Sequence, residues 1–531
     1  MLRTLTWALV GLVACTTPPP EPENPQAGPV FPQPGPTTGG TPAPVALRLA
    51  TTPPTSLDPR DLDSSDSLEL ASQLFDGLVA YDPVSMAPVP SAAARWEVLD
   101  DGTRFVFEIR HATFHDGTPV RAADFVTAWN RLADPAAARP YSFLLEAVKG
   151  FRDLQTKAKV NRLAGLAAPK DRVLEVTLNR SWPDFVSLLG HPALSPVPPA
   201  ASQPGFGSGP VGNGPFRLAA PLQGGTPIVM QRFEGYYGIP PPVDSLEFRT
   251  YQNPDEGWPE FIAGSLDVAP IPGPLLDEAR SQYGGQGIVT LARLLYCGFN
   301  ESEPRFQDPA FRGAASLALD RPAIVEDVYG GVPTPATGIV PPTISGHDPA
   351  VCGDLCLRDV ARARTLVRQV PREDRSFHLD YAASPVADAL AATISSQLGE
   401  AGLTVTPRPH DEAGYRDILT SGAHEMFCLV WVADYPRQQA LLEPLLLSGS
   451  PDNQIGVEDP RLDGFLEEAR GQPRDPARRA LYVQAERRAL AAMHLVPVAW
   501  FRSHLAAQPY VEGFAVNPLA RFDAATLSVS S

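Results

Sequence analysis

The side chains most suggestive of chemistry are a histidine and an aspartate that stand side by side, His115 and Asp116, in the stretch FHDGTPV. Such a pair could form a catalytic dyad, supply two ligands to a metal, or occupy a turn. Asp116–Gly117 is a dipeptide typical of the turn that closes a β-hairpin. Asp124 then falls in the first turn of a predicted helix, where the helix dipole favours a carboxylate. Turn and helix-start chemistry account for most of these polar residues, so we interpret the pair as structural.

The signatures of common enzyme sites are missing from the sequence. It contains no GxSxG, HExxH or GxxxxGK[ST] motif, and its nine histidines are scattered. An acyl-transfer or zinc hydrolase needs such groups clustered. We therefore predict a protein without enzyme activity, metal or cofactor, and keep as an alternative a hydrolase whose site is assembled from distant residues.

The predicted elements alternate between helices and strands. MFCLVWVADYP is an apolar strand that ends abruptly at Asp434, and FQDPAFRGAASLALDRPAIVEDVYGG predicts two helices divided at Asp320–Pro322. The helix after the His-Asp turn carries Phe125, Trp129 and Leu132 on one face. Helix-then-strand order requires crossover connections, which indicates mixed α/β sheets.

Composition limits the class of protein and its partners. A chain of 531 residues is too long for one ordinary core and predicts two or three lobes. Its 44% hydrophobic and 19% charged residues are typical of a folded, soluble protein. The net charge of −17 and the lack of any basic run argue against nucleic acid as a partner.

The N-terminus predicts export and lipid anchoring. Residues 1–15, MLRTLTWALVGLVAC, hold one basic residue, a short apolar run and then Cys15. LVAC resembles a bacterial lipobox, in which the signal is cleaved before a cysteine that receives a diacylglycerol; an ordinary signal peptide is the alternative. The Pro-rich residues 16–44 predict an extended tether between the membrane and the body.

The predicted export guides the interpretation of the four other cysteines. Cys352 and Cys356 lie close together in VCGDLC and predict a local disulfide. A zinc half-site would need a second ligand pair, and the sequence offers none at metal spacing. Cys297 and Cys428 each stand alone on an apolar run, and the sequence leaves open whether they are paired or buried thiols.

Several segments in collinear order resemble the solute-binding proteins of peptide and nickel ABC importers, family 5. They extend from about Leu47 to Asn517 and include, as they stand here, SLDP, LFDGLVAYD, FHDGTPVRAADFVTAWNRL, NGPFRL, GSLDVAPI, VWVADYP and VPVAWF. The stretch NRLADPAAARPYSFLL is closest to the oligopeptide-binding branch. The resemblance implies an α/β fold of the periplasmic-binding-protein type II kind, with two clamping lobes and an inserted third.

The family landmarks divide the body into lobes. They assign 45–75, 201–295 and 506–531 to lobe one, 76–200 to the inserted lobe two, and 296–505 to lobe three. In such a protein, lobes one and three close on the ligand about a hinge.

The resemblance also implies five ligand-binding residues. Asp434 in VWVADYP matches the aspartate that takes the ligand's ammonium group, and Tyr141 matches a lobe-two tyrosine at the peptide backbone. Trp431 and Tyr415 match positions near the cleft, and Asp63 matches an acidic position of lobe one. The alternatives are a capping or surface role for Asp434, a position at a lobe edge for Tyr141 and core packing for Trp431.

One departure concerns the opposite end of the ligand. Cys428 stands where oligopeptide binders carry an arginine, so that motif supplies no cation for a ligand carboxylate. Arg437 is a substitute that no family residue supports.

The function implied is that of a monomeric, membrane-anchored binding protein. It would capture peptides outside the cytoplasm and deliver them to an ABC permease. The alternative from another class is a surface lipoprotein that binds a different amine-bearing solute without transport.

Overall fold

The computed structural model describes residues 45–136 and 139–530. The predicted signal peptide, lipidated Cys15 and tether all fall in residues 1–44, outside the described residues.

Strands and helices alternate along much of the described chain. The strands are β1 (Ala46–Thr51), β2 (Val79–Tyr81), β3 (Pro88–Pro90), β4 (Ala93–Leu99), β5 (Arg104–Ile109), β6 (Leu166–Lys170), β7 (Val173–Thr177), β8 (Phe216–Leu218), β9 (Ile228–Arg232), β10 (Ser245–Thr250), β11 (Val268–Pro270), β12 (Thr290–Phe299), β13 (Thr334–Pro335), β14 (Ser376–Ala382), β15 (Thr404–His410), β16 (Met426–Val432), β17 (Leu495–Arg502), β18 (Leu505–Ala507), β19 (Val511–Glu512) and β20 (Ser528–Val529). The α-helices are α1 (Ser65–Leu74), α2 (Ala122–Leu132), α3 (Phe151–Thr156), α4 (Trp258–Ile262), α5 (Leu276–Tyr283), α6 (Pro309–Ala318), α7 (Arg321–Tyr329), α8 (Val360–Val367), α9 (Pro385–Ala401), α10 (Glu412–Ser421), α11 (Gln439–Leu446), α12 (Pro460–Gly471) and α13 (Asp475–Ala491).

Three larger sheets organise the body. One has the order β18-β11-β1-β10-β9-β8, a second β4-β5-β7-β6, and a third β13-β17-β12-β16-β14-β15. In the first, β1 runs parallel to β10 but β9 runs antiparallel, and the third mixes both directions as well. The prediction of a mixed α/β fold is confirmed. We refer to these sheets and their helices as lobes one, two and three.

Sheet membership departs from the predicted lobe ranges at two edges. β12 begins at Thr290, within the range predicted for lobe one, but pairs with β16 and β17 of lobe three. β18 begins at Leu505, one residue before the predicted return to lobe one. Elsewhere the lobe boundaries stay predictions.

Two chain segments cross side by side between lobes one and three. The Ser503 amide donates to the Val289 carbonyl at 2.8 Å, and the Leu505 amide donates to that of Gly287 at 3.1 Å. This short ladder is narrow compared with the sheets on either side, so it is the natural place for bending.

The His115–Asp116 segment forms the predicted hairpin turn. Gly117 has φ 83°, a conformation that favours glycine, and Asp116 accepts from the Thr118 amide at 2.9 Å. The His115 ring bridges to lobe one: Nδ1 accepts from the Gly212 amide, and Nε2 donates to the Gly214 carbonyl, both at 3.1 Å. Burial lowers the pKa of His115 to about 4, which favours the neutral ring. Its two hydrogen bonds join the hairpin to the Gly212–Gly214 segment.

Both cysteine pairs form disulfides. Cys352 is bonded to Cys356, as the spacing predicts. Cys297 is bonded to Cys428, and these residues lie directly opposite each other on β12 and β16. The second bond joins strands separated by 131 residues in sequence and fixes their pairing.

Candidate functional site

The site is built around α1 and a tight C-terminal turn, residues 516–522. Val516 and Phe522 pair as an isolated antiparallel bridge, which closes the turn. Two hydrogen bonds attach it to α1: the Phe522 amide donates to Glu69 at 3.3 Å, and the Gln73 side chain donates to the Phe522 carbonyl at 3.3 Å. Arg521 is thereby held beside the helix.

The start of β12 ties this turn to the end of β16. The Ala292 amide donates to the Pro518 carbonyl at 2.7 Å, and the Ala433 amide donates to the Ala292 carbonyl at 2.9 Å. Asp434 follows directly. The next residue of β12, Arg293, donates to Ser65 of α1 at 3.0 Å. Main-chain bonds thus bring segments of lobes one and three to one place.

Lobe two contributes Tyr141, whose half-buried ring lies 4.5 Å from that of His191. Burial raises the pKa of Tyr141 above its usual value, and the negative charge of Asp434 raises it further. Asp63 acts in the same direction, whereas Arg521 and Arg293 oppose it. Three of the five predicted residues, Asp434, Tyr141 and Asp63, therefore lie close enough to influence one another.

Arg521 is the residue that sequence reasoning missed. It is only 8% exposed, and burial lowers the pKa of its guanidinium against opposing effects from Tyr81, Glu69, Tyr141 and Asp434. It stands alone in NPLARFDAATL, about ninety residues from Asp434, and no local pattern connects the two. Only the fold brings them together.

The electrostatics of this region include a carboxyl group that is neutral near pH 7. Glu69 is half-buried, and burial raises its pKa to about 8 despite its hydrogen bond from Gln73 and the nearby Arg521 charge. Asp63 is held differently, by the Thr55 hydroxyl at 2.8 Å.

Trp431 and Tyr415 are buried within lobe three. Trp431 is 3% exposed, and its indole donates to the Ala440 carbonyl at 2.7 Å. Tyr415 is 1% exposed and donates to the Cys428 carbonyl at 3.0 Å. Both contacts support the strand that leads to Asp434, and any role at the ligand itself stays a prediction.

Arg437 connects lobe three to lobe two. Its guanidinium lies 3.2 Å from the Asp184 carboxylate and donates to the Met86 carbonyl at 2.9 Å. Arg478 also reaches Asp184, at 3.3 Å. The Arg437 guanidinium is thus engaged across the lobes, which argues against its use as the cation for a ligand carboxylate.

The described residues hold neither a candidate metal site nor a membrane-spanning helix. They contain no group of three or more His, Cys, Asp or Glu side chains that could hold a metal ion. Across residues 45–136 and 139–530, no helix combines the length and apolar character needed to cross a bilayer.

Comparison with known proteins identifies the family. The model described as Bacterial extracellular solute-binding proteins, family 5 Middle, matches residues 87–453, well over half of the chain. The chain therefore belongs to this family of extracytoplasmic solute-binding proteins, as the sequence resemblance predicts. It is a binding protein and not an enzyme.

Individual relatives extend the match beyond that segment. The probable deoxycholate-binding periplasmic protein YgiS of Escherichia coli (strain K12) is 30% identical over 482 residues, which cover 87% of this chain and 89% of the relative. The periplasmic oligopeptide-binding protein OppA of Salmonella typhimurium is 27% identical, covering 86% and 87%. The solved structure of Haemophilus influenzae OppA in complex with RPPGFSPFR matches with a TM-score of 0.72 at 23% identity, covering 92% of this chain and 99% of that one. That structural match confirms the fold of periplasmic binding proteins of type II.

Proposed function

We propose that the protein captures short peptides, or related amine-bearing solutes, in the cleft where its three lobes meet and passes them to an ABC permease. The observation that carries this proposal is the position of Asp434. It follows a buried strand, it acts electrostatically on Tyr141 of another lobe, and three segments of chain converge on it. A carboxylate in such a place suits an ammonium group, which is costly to bury without a partner. The naming of relatives as peptide-binding proteins supports the ligand class.

Closure of the lobes would bury the ligand. We place the hinge at the narrow crossing of 287–289 and 503–505, and the Arg437–Asp184 contact, which is formed in this structure, would hold lobes two and three together in the closed form. The closed monomer would then be the form that docks on the permease.

Lipid attachment at Cys15 completes the proposal. The lipobox-like LVAC and the Pro-rich tether support a body held near an exported membrane surface. Replacing Cys15→Ser should shift the protein from the membrane fraction to the soluble exported fraction. An unchanged membrane fraction would contradict the anchor.

The ligand assignment is tested with trialanine and its N-acetyl derivative, which lacks the ammonium group. Calorimetric titration should show tight binding of trialanine and a loss of roughly 2–5 kcal/mol for Asp434→Ala. Acetylation should cost the wild-type protein a similar amount and cost Asp434→Ala little. The exposed Asp417→Ala on α10 is the matched control. Equal binding of trialanine by wild type and Asp434→Ala would refute the assignment.

A further inference from the structure

Arg521 is a buried cation whose side chain has no bonding partner among the described residues. Its side chain makes no hydrogen bond and no ion pair to any residue in 45–136 or 139–530, and its Nε is fully enclosed. A guanidinium carries five donors and stays charged under physiological conditions. Burying such a group unpaired is unfavourable, so a folded protein rarely keeps one without a use for it.

Two carboxyl groups act on the charge of Arg521. Glu69, on the adjacent helix, carries a proton near pH 7 because burial raises its pKa to about 8. Asp434 lies within electrostatic range of Arg521 and favours its charged form. The Nε donor of the guanidinium nevertheless has no hydrogen-bond partner among the described residues.

A second arginine, Arg293, lies beside the same C-terminal turn and α1. Arg293 is half-buried, uses one nitrogen on the Ser65 hydroxyl at 3.0 Å, and has an enclosed Nε without a partner among the described residues. Both arginines act on the Tyr141 hydroxyl, as Asp434 does with the opposite sign. Tyr141 is thus within electrostatic range of the Asp434 carboxylate and of both guanidinium groups.

We propose that Arg521, assisted by Arg293, binds the carboxylate of the ligand. This inference rests on the proposed function, in which Asp434 takes the ammonium group, and it specifies the ligand as a zwitterion whose two charged ends reach the same small region. Free amino acids and peptides of a few residues fit this description. The arginine that oligopeptide binders carry where Cys428 stands here is thereby replaced by one that comes from a different lobe.

Three probes distinguish the ammonium site at Asp434 from the carboxylate site at Arg521: trialanine, its C-terminal amide, and N-acetyl-trialanine. Calorimetric titration of the wild-type protein should show roughly 10- to 100-fold weaker binding of the amide, because a hydrogen-bonded charge pair is lost. Arg521→Gln should lose most of the preference for trialanine over the amide. Asp434→Asn should retain the preference for the acid over the amide while losing the preference for trialanine over its N-acetyl form.

Two further variants control for indirect effects. Arg521→Lys keeps the charge but loses the two-pronged geometry, so it should retain part of the preference for the acid. Arg232→Gln removes an arginine already paired with Glu234 and Asp244, and its preference should equal that of the wild type. A retained full preference in Arg521→Gln would overturn the inference.

The outcomes for the wild-type protein alone distinguish this inference from the proposed function. Equal affinity for trialanine and its amide overturns the anion site, even where the N-acetyl form binds weakly and the ammonium site stands. Equal affinity for trialanine and its N-acetyl form, with the amide weaker, refutes the ammonium site and leaves Arg521 in place. Deoxycholate, an anion without an ammonium group, should then bind the wild type more tightly than Arg521→Gln, and equal binding of it by both proteins would overturn the inference.

Discussion

The buried arginines of lobe three and the buried Arg521 beside α1 have opposite hydrogen-bonding surroundings. In lobe three, Arg321 is 2% exposed and donates to the carbonyls of Pro497, Ser316 and Cys356 as well as to the Ser316 hydroxyl. Arg312 is 1% exposed and likewise donates to three carbonyls. Arg521 is buried almost as deeply but makes no such bond among the described residues.

This difference indicates two roles, structural support for Arg321 and ligand recognition for Arg521. Burial lowers the pKa of Arg321 to about 10, and the ring of carbonyls is what makes that burial tolerable. Those carbonyls belong to α6, to β17 and to the segment at Cys356, so Arg321 joins three parts of the lobe. Arg521 organises nothing through hydrogen bonds of its side chain, and we infer that its partner is a group that arrives with the ligand.

The largest effect we predict is on Arg321→Met. The substitution removes the donors that Arg321 supplies to three buried carbonyls and the Ser316 hydroxyl, and it should lower the free energy of unfolding by about 3–5 kcal/mol. Urea unfolding measures this. Arg521→Gln breaks no such bonds and should change that free energy by about 1 kcal/mol or less. A large loss in Arg521→Gln, with Arg321→Met nearly as stable as the wild type, would reverse the comparison.

Removal of the Cys297–Cys428 disulfide should have the next largest effect. The bond closes a long loop, and its replacement by a pair of serines should cost about 2–4 kcal/mol. Thermal and urea unfolding under oxidising conditions measure the change. Removal of Cys352–Cys356, which spans four residues, should cost less. Because both bonds belong to the framework of lobe three, neither variant should alter the preference for trialanine over its amide, and a changed preference would show that framework and site are coupled.

Arg437→Gln is expected to weaken ligand binding without changing its selectivity. The arginine joins Asp184 and the Met86 carbonyl across lobes two and three, so its loss should make closure less favourable by about 1–2 kcal/mol. Trialanine, its amide and its N-acetyl form should all lose the same amount in calorimetric titration. A selective loss for the free acid would mean that Arg437, and not Arg521, meets the carboxylate.

The sequence predicts the framework better than the site. The division of α6 from α7 at Asp320–Pro322 is confirmed, because a proline and a capping aspartate act locally. The Asp116–Gly117 turn has the same kind of local cause. Arg521 could not be predicted, since its role depends on a turn near the C-terminus meeting α1 and the end of β16 through long-range hydrogen bonds.

The burial of aromatic residues likewise cannot be predicted from their spacing in the sequence. The family resemblance implies that Trp431 and Tyr415 lie near the cleft. In the structure, both side chains donate to main-chain carbonyls inside lobe three. An aromatic residue on an alternating strand gives the same pattern whether its face meets ligand or core. Their predicted ligand contacts can be tested only by binding measurements.

The last prediction tests whether Glu69 is an ionised partner of Arg521. Burial raises the pKa of Glu69 from 4.5 to about 8, although Gln73, the Phe522 amide and Arg521 favour its ionised form. Between these two pH values the folded protein holds a proton that the unfolded chain has released, so stability should fall as pH rises from 4.5 to about 8 and then level off. Glu69→Gln should remove this component of the slope in urea unfolding followed across that range. Glu486→Gln is the comparison variant: burial raises the pKa of Glu486 to about 7 in lobe three, where it accepts from the Ile339 and Val340 amides, so its loss should remove a slope component that ends near pH 7. An unchanged slope in Glu69→Gln would mean that Glu69 is ionised beside Arg521, and the cleft arginine would then be paired like those of lobe three.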